Sequence, residues 1–163
     1  MAFLKEKKLL NSNLEDSKVF NFIENIDYMD TFSVELTRDS DIKDLYLCLV
    51  NTKSRTIEFL MSLRNKIMSL FGFKTEIINS NNIKDIQVGN KVGFFNIYFI
   101  NEHEIIAGEE DKHLNFLVSF YKRDTTLIVT TLVKYNNIFG KIYMTFVKPF
   151  HKIVVKNMLK NLK

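Results

Sequence analysis

A chain of 163 residues and 19.2 kDa, 46% apolar and 26% charged, is long enough for one domain with a substantial core and too apolar to stay disordered. Its net charge of +4 is unevenly placed: residues 112–163 hold ten Lys or Arg against one acid, Asp124, while residues 1–111 hold thirteen against eighteen. No apolar stretch is long enough to cross a bilayer, Lys and Glu interrupt the N-terminal apolar pairs before a secretory signal forms, and a lone Cys48 excludes an internal disulfide. The setting expected from these features is cytoplasmic and reducing.

Residues 1–27 read as an N-terminal arm, followed by a single domain over 28–163 with no linker, repeat or low-complexity segment. Tyr28–Leu36 alternates, with Tyr28, Asp30, Phe32 and Val34 on one side, and predicts a first strand. Ser40 or Asp41 caps a short helix over Ile42–Val50, and the apolar run around Cys48 predicts a buried thiol. A second helix starts near Thr52, with Ile57, Leu60, Met61, Ile67, Met68 and Phe71 in a broad stripe, and ends at Gly72. Four strands follow, about Lys91–Ile100, Glu104–Glu109, Lys112–Tyr121 and Thr126–Tyr135, joined by short polar turns. Ile138–Val147 is helical, and Pro149 either kinks that helix or opens a new one. On the terminal segment Lys148, Lys152, Lys156 and Lys160 form one ridge, while Phe150, Ile153, Val154, Met158 and Leu162 form another face.

The expected fold is therefore α+β: an antiparallel sheet, in the order strand, two helices, four strands, helix, wrapped around a long C-terminal helix. That order resembles the helix-grip superfamily of START lipid-transfer domains, birch-pollen-allergen-type proteins and polyketide cyclases. Within it, YMDTFSVEL (from Tyr28), VGNKVGFF (from Val88), GEEDKHLNF (from Gly108), VTTLVKYNN (from Val129) and GKIYMTFVKPFHKIVV (from Gly140) resemble a bacterial family of unknown function. The resemblance implies a curved sheet and an apolar ligand held between sheet and helix, but no assigned activity. The family pattern often has an acid at the position of Asn115 and a base at that of Leu117; both are uncharged here, which argues against catalysis by that pair.

Candidate chemistry is sparse. Glu109, Asp111, His113 and Asn115 would share a face only in an unbroken strand, and a turn at Glu110–Lys112 breaks that register, so no metal site is expected. His113 then bonds across strands. The row Asn115, Ser119 with Asn96 and Tyr98 either faces solvent or forms the polar floor of a pocket. Phe94, Phe95, Phe99, Phe116, Phe120, Tyr143, Phe146 and Phe150 would wall that pocket. His151 either pins the terminal helix or carries protons. No Gly-rich phosphate loop, activated nucleophile or cofactor motif is present, and the lysine ridge lacks the arginines and interleaved aromatics of base recognition.

The leading expectation is non-catalytic binding of a small, largely apolar molecule or lipid in the sheet–helix cleft. The alternatives are a cyclase- or hydratase-like enzyme using His151 or His113, and a pocketless module that forms a homodimer through its charge asymmetry. Weak contact of the lysine ridge with an anionic membrane is a further expectation, while specific nucleic-acid binding is not.

Overall fold

The computed structural model describes Leu14, residues 16–51, Ser62, 86–92, 95–160 and Leu162. The expected helix from Thr52 to Gly72 and the Asn79–Asn82 break lie outside the described residues, Ser62 excepted. The elements are β1 (Tyr28–Glu35), α1 (Ile42–Asn51), β2 (Lys91–Val92), β3 (Phe95–Ile100), β4 (Glu104–Glu110), β5 (Leu114–Arg123), β6 (Thr126–Tyr135) and α2 (Ile138–Lys160). The protein is α+β: among the described residues a six-stranded antiparallel sheet accompanies one long C-terminal and one short α-helix.

Strand order is β1-β6-β5-β4-β3-β2. The β3–β6 meander follows from its short turns, each returning the chain beside the strand just made. β1 joins the far side of β6, with Tyr28 opposite Val133 and Glu35 opposite Thr126. The first strand therefore sits next to the last, and α1 lies between them in sequence, packed on β4 and β5. Its buried residues Ile42, Leu45, Tyr46 and Leu49 have the i, i+3, i+4, i+7 spacing of a single helical face.

Three expectations need correction. Lys91–Ile100 is not one strand: β2 folds back on β3, with Val92 opposite Phe95, so the sheet has six strands rather than five. Cys48 is exposed, because it falls off the buried face of α1. Of the two alternatives at Pro149, the opening of a new helix is the one overturned: the proline lies inside a continuous element. Pro149 and Thr145 are both exposed, so the Thr145 carbonyl that proline leaves without an N–H can be hydrated.

Both sheet faces are covered. The inner face carries Phe32, Val34, Leu127, Val129, Val118, Phe120, Ile105, Ala107 and Ile97, packed with α1 and with Leu159 of α2. The outer face carries Ile106, Leu117 and Leu132 under Val19 and Ile23, with Tyr121 and Ile128 under Leu14. The described part of the N-terminal segment thus lies on the sheet. Glu104, 1% exposed, holds it there. Its carboxylate accepts from Ser17 Oγ (2.6 Å), Ser119 Oγ (2.5 Å) and the Lys18 backbone N–H (2.8 Å), so its burial is compensated.

Candidate functional site

β1 places a carboxylate on an otherwise apolar surface. Tyr28, Asp30, Phe32 and Val34 alternate toward the inner face, and Asp30 lies opposite Thr131 of β6. α2 crosses this edge of the sheet against β1 and β6, burying Met144, Val147 and Val154. Those positions recur every three to four residues, and His151 continues the series. Its Nδ1 lies 3.0 Å from Asp30 Oδ2, which also accepts from the Tyr28 hydroxyl at 2.5 Å. The Asp30 side chain is 8% exposed and that of His151 20% exposed.

The two carboxylate oxygens of Asp30 differ. Oδ2 has two partners. Oδ1 is buried and has no hydrogen-bond partner among the described residues. Thr131, opposite on β6, adds a further side-chain interaction that favours the ionised carboxylate. Burial alone would push the Asp30 carboxyl up, but the hydrogen bond and positive charge of His151, with Tyr28 and Thr131, hold it below its ordinary value of 3.8. The Tyr28 phenol moves the other way, raised by burial first and then by its hydrogen bond and charge repulsion with Asp30. Asp30 is therefore an ionised, oriented acceptor.

Around it stand two further polar groups and an apolar wall. Lys148 Nζ lies 4.8 Å from the Tyr28 ring centre and 5.6 Å from that of Tyr135, in cation–π range of both. The Tyr135 hydroxyl is buried with no partner among the described residues. Val133, Met144 and Val147, with Phe116, Leu114 and Tyr143 beside them, close the inner face near these groups.

The residues singled out from sequence do not converge on one place. Phe116, Phe120, Tyr143 and His151 belong to the inner side, where Phe116 meets Phe95 and Phe120 meets Tyr46 edge to face. Asn96, Tyr98, Asn115, Ser119 and Phe99 belong to the outer side. Asn96 is opposite Gly108, Tyr98 and Phe99 pack with the outer cluster, and Ser119 is spent on Glu104. Asn115 sits 2.7 Å from the Asn136 amide. Phe146 and Phe150 are exposed on α2, and Phe94 lies outside the described residues. Of the acidic and histidine run, Glu109 pairs with Lys91, Asp111 accepts from the His113 backbone, and His113 Nδ1 meets the Asn137 side chain at the start of α2. Among the described residues no cluster of three His, Cys, Asp or Glu could hold a metal ion.

Tyr28, Asp30, Thr131 and Tyr135 were not singled out as site residues from sequence, and Lys148 only as part of the lysine ridge. A signal was nonetheless present: Asp30 is the one acid on the inward register of β1, between Tyr28 and Phe32.

With this geometry in view, the chain belongs to the family described as Protein of unknown function (DUF2867), whose model matches residues 22–158. No curated protein and no solved structure matches it.

Proposed function

We propose that this protein holds a small, largely apolar molecule between the inner face of its sheet and α2, anchored by one hydrogen bond to Asp30. The observation that carries this reading is the pairing of a carboxylate only 8% exposed with an Oδ1 that no described group satisfies. A buried ionised oxygen without a donor is costly, and hydrophobic replacement of such a group is often neutral or stabilising. Its placement makes sense if a bound molecule supplies the donor. The β1, α1, meander, α2 order supports the helix-grip reading, in which sheet and terminal helix enclose an apolar ligand.

Native mass spectrometry of freshly purified protein tests this. Wild type should carry a small molecule, and Asp30→Asn, which keeps the volume but removes the charge, should retain at least tenfold less of it. A wild-type spectrum of bare protein, or equal retention by Asp30→Asn, would count against the proposal.

The hydrogen bond between Asp30 and His151 favours a second reading, a cyclase- or hydratase-like proton transfer, because a buried carboxylate orients a histidine for acid–base work. On that reading the recovered molecule is a mixture of substrate and product, and His151→Gln leaves a single species.

A further inference from the structure

The outward side of α2 is unlike the solvent face of an ordinary helix. Ile138, Ile142, Phe146, Pro149 and Ile153 follow one another at spacings of four, four, three and four, so they form a single line along the helix. That line spans about 23 Å at 1.5 Å per residue. All five are exposed, Ile138 by 60%, Phe146 by 57% and Ile153 by 55%, while Met144, Val147 and Val154 on the opposite side are buried against the sheet. The apolar line is therefore additional to the face that builds the core.

Beside it the charge is wholly positive. α2 carries Lys141, Lys148, Lys152, Lys156 and Lys160 and no acid. Lys141, Lys152, Lys156 and Lys160 are exposed. On a helical wheel Lys141, Lys148 and Lys152 fall along one side of the line from Ile138 to Ile153, while Lys156 and Lys160 continue the line itself beyond Ile153. An apolar stripe with a basic border is the pattern of a helix that lies in a membrane interface, its side chains reaching the acyl boundary while lysines meet anionic headgroups. No helix among the described residues is long and apolar enough to cross a membrane, which fits a helix lying on the surface rather than spanning it.

We infer that the outer face of α2 docks this protein on an anionic lipid bilayer, with Ile142, Phe146 and Ile153 inserted and Lys141 and Lys152 on the headgroups. The occupant is chosen by charge complementarity: five lysines without one acid would set a second copy of this helix against itself. The inference is independent of the ligand proposed for the inner face, because the two surfaces lie on opposite sides of α2.

Flotation with vesicles of phosphatidylcholine alone, and of phosphatidylcholine with about one third anionic phosphatidylglycerol, whose surface charge attracts clustered lysines, tests it. Wild type should float with the anionic vesicles at low salt and not with the neutral ones. Phe146→Ser with Ile153→Ser should reduce the bound fraction at least tenfold with the circular dichroism spectrum unchanged. Lys141→Glu with Lys152→Glu, which leaves the apolar line intact, should do the same. Absence of flotation, equal flotation with neutral vesicles, or flotation that survives both pairs of substitutions would overturn the inference. So would a concentration-dependent dimer abolished by the same substitutions in a protein that ignores vesicles.

Discussion

Asp30 and Glu104 are two carboxylates in similar depth with different settlements. Glu104 is surrounded by three donors drawn from the N-terminal segment and β5, so its role is complete within the fold. Among the described residues the hydrogen bonds to Asp30, from Tyr28 and His151, reach Oδ2, and Oδ1 has no partner at hydrogen-bond distance. The difference also has a pH signature. Because Asp30 ionises more readily in the folded protein than its ordinary 3.8, the unfolded chain binds more protons across this region. Its contribution is thus present above the unfolded value and lost as pH falls through the lowered one. Urea unfolding from pH 6 down to pH 3 (roughly the carboxylate range) should show wild type losing stability more steeply than Asp30→Asn. Parallel curves for the two would mean that His151 and Tyr28 do not hold the carboxylate as described. Neither acid was distinguished by sequence reasoning, since a buried carboxylate looks like any other until remote donors, His151 for Asp30 and Ser17 for Glu104, are in place.

At the scale of elements, the strongest sequence signals were the long apolar runs. β6 falls at Thr126–Tyr135 as its run does, and β1 and α1 differ from expectation by one residue at their ends. The run at Lys91–Ile100 misled because its apolar content continues across a reversal between Val92 and Phe95, where composition offers only Gly93 as a break. α2 begins at Ile138, as its run does, though periodicity does not disclose the contacts at that junction. Asn137 Oδ1 accepts from the backbone N–H groups of Phe139 (3.0 Å) and Gly140 (3.2 Å), and its Nδ2 donates to the Lys112 carbonyl at 3.0 Å. A Cβ at Gly140 would stand 2.1 Å from the His113 carbonyl oxygen, so only glycine lets the first turn of α2 come this close to the β4–β5 turn. Asn137→Ala should cost about 1–2 kcal/mol in urea unfolding, since it removes a cap and a tie to the neighbouring turn together. A loss below about 0.3 kcal/mol would show that solvent replaces both contacts.

For the molecule as a whole, the polar row on β5 illustrates why the site was only half legible. Asn115 and Ser119 were correctly seen to share a face, and Phe116 and Phe120 the other. Sequence could not assign those faces, because alternation identifies two sides without saying what covers each. Here Leu14, Val19 and Ile23 cover the outer side, so Ser119 became an internal partner of Glu104. His151 was legible as a residue of interest from its place on the terminal helix; Asp30 was not, because its importance depends on β1 lying beside β6, an adjacency between the first strand and the last.

The central claim is that Asp30 Oδ1 awaits a donor from outside the chain. A crystal structure of the protein as purified, never stripped of bound material, tests this most directly. The expected result is a non-protein molecule between β1 and α2 with a polar atom about 2.6–3.0 Å from Oδ1 and apolar atoms toward Phe116, Val133 and Met144. A donor from the protein itself seated on Oδ1, with the inner face closed around it, would contradict the account.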